Sequence, residues 1–142
     1  MILKHMGITQ NENCSFCNVD RDCIEHIFWR CNISRNFWDR FVELINARCS
    51  NAVNFRLTEK LVILGIDKVI KIDGVFAFML VLAKQYIYKC KLDRTVPCVN
   101  VFLRKLFHRY KIEKHNAVLS FMYNEFSARW HPYIPLLQDR DN

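Results

Sequence analysis

Glycine and proline are scarce. Three of each in 142 residues argue against a disordered chain and against a turn-rich β-sandwich, which both draw on those residues heavily. Common catalytic signatures are missing as well. There is no Gly-rich phosphate loop, no Gly-x-Ser-x-Gly and no His-Glu-x-x-His, nor an adjacent Asp pair of the kind that holds catalytic metal ions. The longest uncharged apolar run, residues 74–83, falls well short of the roughly 20 residues a membrane-spanning helix needs. The opening MILKHMGITQ has neither an apolar core of secretory length nor a small-residue cleavage site. An intracellular, reducing compartment, nucleus or cytoplasm, is therefore expected, with no membrane contact.

Apolar and aromatic residues are plentiful. They make up 51% of the chain, with eleven Phe, five Tyr and three Trp, enough for the core of one domain or of a small module with a helical body. Cysteine is unevenly spread: four of the seven crowd into residues 14–31. In a reducing compartment, clustered Cys and His read as metal ligands rather than disulfides. Cys49, Cys90 and Cys98 are expected as small core residues.

Residues 14–38 read CSFCNVDRDCIEHIFWRCNISRNFW. Cys14 and Cys17 suit a tight turn, because both thiolates must converge on one ion about 2.3 Å away. The polar tract NVDRD suits a loop, and CIEHIFWRC a short helical turn that sets His26 on one face and Cys31 just past its end. Cys14, Cys17, His26 and Cys31 then form a Cys₃His set for Zn²⁺. Cys14, Cys17, Cys23 and His26 are a second possible set. Cys31 is preferred, because Cys23 and His26 lie only three apart on the helical turn, which would leave Cys31 idle. A chance cluster of buried cysteines is the bland alternative. Four protein ligands would fill the ion's coordination and leave no position for a catalytic water, so no enzyme activity is expected.

Charge is as uneven as cysteine. Residues 1–83 carry ten Lys/Arg against nine Asp/Glu, residues 84–115 nine against two, and residues 116–142 two against three. The whole excess of the formal +7 sits in one segment, the footprint of a polyanion-binding surface. A solvated face of two helices is the plainer reading of the same residues.

Periodicity places the elements. Residues 1–13 form a lead-in, expected as a short amphipathic turn against the metal loop. Residues 33–48 read as a helix with Phe37, Phe41, Leu44 and Ile45 on one face and Asn36, Arg40 and Glu43 on the other, capped by Asn32 or Ser34. Phe28, Trp29, Phe37 and Trp38 are expected in the core under the metal site rather than as a base-stacking platform. Residues 49–73 connect, with CSNAVN as loop and LVILG either a strand or one helical turn. Residues 75–92 are apolar on every side in VFAFMLVLA and should form the central, buried helix. Residues 98–115 are amphipathic, with Val99, Phe102, Leu103, Leu106 and Tyr110 inward. Arg104, His108, Lys111 and His115 face outward, and Glu113 is the helix's only acid. The two His are read as solvated or as auxiliary phosphate contacts. A helix over 118–131 places Leu119, Met122, Tyr123, Phe126 and Trp130 on one face. It ends at Pro132 and Pro135, and QDRDN follows as a polar tail. The fold class expected is mainly α: an N-terminal CCHC zinc knuckle packed on a small helical domain, with at most one short strand. The units are 1–48, the connector 49–73, and a helical domain 74–142 carrying the basic segment 84–115.

The string MGITQNENCSFCNVDRDCIEHIFWRCNISRNFW resembles the zinc-binding region at the C-terminal end of reverse transcriptases from LINE-type, non-long-terminal-repeat retrotransposons. Cys14, Cys17, His26, Cys31 and Trp38 stand at the matching positions, and Ile27-Phe28-Trp29 matches the apolar tract. Cys23 stands where that family usually has Thr. LVILGI, LVLAKQYIYKCKL and FSARWHPYI resemble the segments that follow. The resemblance implies a non-catalytic module that supports template or target binding in target-primed reverse transcription. RNA or DNA would be held through its backbone by Lys84, Lys89, Lys91, Arg104, Lys105, Arg109 and Lys111. The upstream polymerase domains, absent here, would be a further partner. The alternatives are a structural zinc domain that docks on protein, and a retroelement fragment without function.

Overall fold

Aromatic side chains spaced three and four apart set the architecture, because each helix must bury its stripe against another. The computed structural model describes residues 13–49, 56–68 and 70–138. The lead-in before Asn13, most of CSNAVN and the tail beyond Gln138 lie outside the described residues. Among the described residues every regular element is a helix, and the only extended pairing is an isolated antiparallel bridge between Asn13 and Arg21.

The first long helix, α1, spans Asn32–Arg48 and buries Phe37, Trp38, Phe41, Leu44 and Ile45, the stripe expected from the sequence. Its start differs from expectation. No side chain caps it; Cys31 is the N-cap residue, and the Ser34 hydroxyl donates backwards to the Ile27 carbonyl. The fully buried Ser34 satisfies a carbonyl of the preceding turn instead of an amide of its own helix. LVILG resolves as helix: α2 spans Glu59–Leu64. Thr58 caps it by accepting from the Leu61 amide at 3.1 Å, and Gly65 ends it at φ +76°, a left-handed conformation that glycine adopts without a Cβ penalty.

Helix α3 spans Gly74–Asp93 and is capped by Asp73, which accepts from the Phe76 amide at 2.8 Å. Burial on every side was expected here. Val75, Phe76, Met79, Leu80, Ala83, Tyr86, Ile87 and Cys90 are buried, but Val81 and Leu92 are exposed. The helix is covered from one side only, as befits a small domain in which surface area is large relative to volume. Helix α4 spans Val99–Leu119. Its expected inward residues Val99, Phe102, Leu103 and Leu106 are buried. It breaks at residues 120–122, with Phe121 at φ 59° and the Met122 amide donating to the Ala117 carbonyl at 2.8 Å. Helix α5 spans Tyr123–Trp130 and buries Phe126 and Trp130, while Leu119, Met122 and Tyr123 are exposed. Helix α5 ends at Trp130, just ahead of Pro132, as expected, but helical structure resumes beyond it. Pro132 lies in a 3₁₀ turn, His131–Tyr133, and Pro135 in the first turn of α6, Ile134–Leu137, positions that need no donated amide.

One apolar cluster runs from Ile27 to Leu137, so the metal-loop segment and the C-terminal helices share a core. Its centre is four phenylalanines from three helices. Phe41 meets Phe102 edge-on at 5.6 Å between centroids and stacks on Phe76 at 6.3 Å, and Phe37 meets Phe102 at 5.7 Å. Edge-to-face pairs of this kind add about 0.5–1.5 kcal/mol beyond burial. Phe28 and Trp29 pack against this core half-buried, and the Arg35 guanidinium covers Trp29 at 4.2 Å. Cys49 and Cys90 are buried as expected, whereas Cys98 is exposed at the start of α4. No described helix is long and apolar enough to cross a membrane.

Candidate metal centre

The loop that carries the first two cysteines closes on itself. The Cys14 amide donates to the Asp20 carbonyl at 2.8 Å and the Asn18 amide to the Cys14 carbonyl at 2.8 Å. Asn18 adopts φ 56°, the left-handed conformation that Asn tolerates better than most residues. The turn closed by the Asn18 bond holds the Cys14 and Cys17 sulfurs within 4.8 Å of each other. The second pair is placed by a π-helical turn, His26–Arg30, in which the Cys31 amide donates to the His26 carbonyl at 2.8 Å. An α-turn would align residues four apart; the wider ring of a π-turn aligns residues five apart, and so brings Cys31 beside His26.

The four ligand atoms of Cys14, Cys17, His26 and Cys31 all lie within 4.8 Å of one another. The Cys14 and Cys31 sulfurs are 3.9 Å apart, and the Cys17 sulfur is 3.3 Å from His26 Nε2. A tetrahedral ion with Zn–S of about 2.3 Å and Zn–N of about 2.0–2.1 Å requires separations of about 3.8 and 3.6 Å. The donor set fits such an ion, with Nε2 as the imidazole ligand. Cys14, His26 and Cys31 are buried and Cys17 is half-buried. Cys23 lies outside the group, so the alternative set containing it is not the one the fold brings together.

Electrostatics sharpen the fit. Burial pushes the Cys17 thiol up, but the Asp20 and Val19 amides, with contacts to His26 and Cys31, outweigh it and lower its pKa to about 6. The Cys31 thiol is pushed up to about 12, first by burial and then by the neighbouring Cys14, against the Ile33 and Ser34 amides. Amide donors are thus aimed at the sulfurs, yet the thiols cannot all ionise side by side without a positive charge between them. A divalent cation supplies that charge.

Second-layer contacts hold the π-turn. Trp38 Nε1 donates to the Phe28 carbonyl at 2.6 Å, and Arg30 forms an ion pair with Glu59 of α2 at 2.6 Å. The loop is fixed from another side. Lys91 of α3 meets Asp22 at 3.1 Å, with both side chains only about 15% exposed. Sequence reasoning missed this pair, since nothing local links residues so far apart.

Lys91 is therefore engaged with the metal loop rather than presented to solvent. Lys84 is half-buried, and burial lowers its pKa. The other five residues of the basic set, Lys89, Arg104, Lys105, Arg109 and Lys111, are exposed, as are His108 and His115. Lys89 of α3 and Lys105 and Arg109 of α4 line one shallow groove of about 170 Å³ between these helices. Arg104, Lys105, His108 and Arg109 share the outer surface of α4. Lys105 and Arg109 also lie over the rings of Tyr86 and Phe78 at 6.0 and 5.9 Å, so their stems are oriented by the core.

Comparison with family models, curated protein sequences and solved structures returned no match.

Proposed function

We propose that this chain is a non-catalytic nucleic-acid-binding module whose fold is stapled by one Zn²⁺ in a CCHC knuckle. The observation that carries the binding reading is the placement of the chain's excess positive charge. Exposed cations from two different helices line one groove and one adjoining face, where a polyanion backbone can meet several at once. Support for the metal reading is the Cys₃His donor set, whose separations suit zinc. When bound, the ion neutralises the thiolates and closes the loop onto the π-turn. Four protein donors leave it no open position, which favours a structural role. Together with the resemblance noted above, this supports backbone contacts to RNA or DNA on behalf of a reverse transcriptase whose catalytic parts lie elsewhere.

The test is titration of labelled RNA and DNA at several salt concentrations. Five phosphate contacts on single strands give a log–log salt slope of about −3.5, and reversing three of the cations to Glu should flatten it to about −1.4. Arg104→Glu, Lys105→Glu and Lys111→Glu together should weaken binding to all sequences. Unchanged affinity and slope would overturn the reading.

A second reading, docking on another protein, is favoured by one feature. At the corner between α4 and α5, Phe121 is 93% exposed and Val118, Leu119 and Met122 are at least half exposed. Absence of nucleic-acid affinity at low salt would leave this reading standing.

A further inference from the structure

Beside the basic face lies a deeper cleft of about 530 Å³, between the end of α1, α4 and α6. Leu103, Phe107, Tyr110 and Leu137 make its apolar wall. Resting on the nucleic-acid reading, we infer that this cleft receives one unstacked base of a single-stranded polynucleotide whose backbone follows the basic face of α4.

Three observations converge on that ligand. The volume is within the range of small-molecule sites, about 300–1,000 Å³, and the lining has the usual mix of apolar surface with a few polar groups. The Phe107 and Tyr110 rings are within 16° of parallel with centroids 6.2 Å apart, and Phe107 is 40% exposed. A flat ring in reach of solvent is what base stacking uses, and every base offers a π-face to it. The polar groups are of the right kinds. The amides of Asn100 and Gln138 line the cleft, each with a donor and an acceptor of the sort that base edges pair with. Arg48 and Arg104 add positive charge for a phosphate.

Continuity with the basic face selects a polynucleotide over an unrelated acidic ligand. Arg104 belongs both to the cleft wall and to the outer surface of α4 shared with Lys105, His108 and Arg109. Lys111 places a further cation 5.0 Å from the centre of the Phe107 ring. A strand tracked by these cations passes the cleft, and a base turned inward from it meets Phe107. A duplex keeps its bases paired and stacked and has none to offer.

The experiment is fluorescence anisotropy with the full chain and three labelled probes of equal phosphate number: a single-stranded oligouridylate, the same strand with abasic sites, and a blunt-ended RNA duplex. The wild-type chain should bind the oligouridylate about tenfold or more tighter than the abasic strand, the worth of one stacked base. Phe107→Ala should remove that advantage while leaving the abasic strand, the duplex and the salt slope unchanged. The abasic comparison needs no variant, so it holds even if Phe107→Ala folds poorly. Equal binding of all three probes by the wild type would overturn this inference and leave the nucleic-acid reading intact. Binding of none at low salt would overturn both. If Phe107→Ala alters only the monomer–dimer distribution in sedimentation, the cleft is an interface between copies and the inference falls.

Discussion

Lys91→Met is the substitution that most directly separates anchoring from binding. At 3.1 Å and about 15% exposure for each side chain, the attraction between Lys91 and Asp22 is of the order of 5 kcal/mol at an effective dielectric of about 20. Desolvation of both groups offsets most of that. The informative quantity is the cost of removing one partner. Methionine keeps the stem's packing but leaves the Asp22 carboxylate half-buried without its cation, and Asp22 Oδ1 already has no hydrogen-bond partner among the described residues. Breaking a pair in such surroundings costs about 3 kcal/mol or more, which for a domain of this size is roughly 10 °C in Tm. Thermal and urea unfolding should be measured at one fixed free zinc concentration, because bound metal adds its own stabilisation. Asp22→Asn with Lys91→Met should recover most of the loss, since neither charge then remains. Nucleic-acid affinity, measured well below the lowered Tm, should fall far less than for Arg104→Glu. A loss of under about 0.5 kcal/mol, or a double variant no more stable than Lys91→Met alone, would refute the view that this pair holds the metal loop to α3.

Elemental analysis of purified protein should find one zinc per chain, lost in Cys31→Ser and retained in Cys23→Ser; retention in Cys31→Ser would overturn the ligand set. Tyr86 gives a pH prediction. Burial above all, against the Cys98 amide that donates to its oxygen at 2.9 Å, pushes its pKa up to about 12, from the ordinary value of about 10 in an unfolded chain. Between these values the folded state keeps a proton that the unfolded state has released, so stability is intact below pH 10 and declines as pH rises towards 12. Tyr86→Phe should make the alkaline unfolding profile shallower in that window, and an unchanged profile would argue against a buried Tyr86 hydroxyl.

What the sequence made legible was short-range. Cys14, Cys17, His26 and Cys31 lie within one stretch, and their residue types limit the chemistry. The stripes of α1 and α4 follow from 3.6-residue periodicity. Three readings were incomplete for identifiable reasons. An all-apolar run suggested that α3 was buried all round, but apolar side chains such as Val81 and Leu92 also populate surfaces. Helix α5 does end ahead of Pro132, but the short helix α6 that follows has no place in the sequence reading, because proline also suits the first turn of a helix, and α6 buries Leu136 and Leu137. The sequence offers Asn32 or Ser34 as the cap of α1, yet neither caps it, and the Ser34 hydroxyl serves a carbonyl of the π-turn, whose geometry has no sequence signature of its own. The Asp22–Lys91 pair and the cleft by Phe107 were invisible for a different reason: each exists only once distant segments are packed together.

These contacts also explain why the candidate centre and the basic surface need not coincide. Three of the four ligands are buried, and the atoms that converge are directed at one another rather than outward, so the centre itself offers little to a polyanion. Its influence has to travel through what it holds. The π-turn is tied to α1 by Trp38 and Ser34 and to α2 by Glu59, and the loop is tied to the end of α3 by Lys91. Two residues before Lys91, Lys89 faces the groove opposite Lys105 and Arg109. One end of α3 thus carries both an anchor to the cysteine loop and a cation of the groove between α3 and α4. Fixing that end fixes the spacing between cations on α3 and α4, and a polyanion with regularly spaced phosphates responds to that spacing. On the proposed reading, an ion held there would contribute to binding by setting geometry, and not by contact.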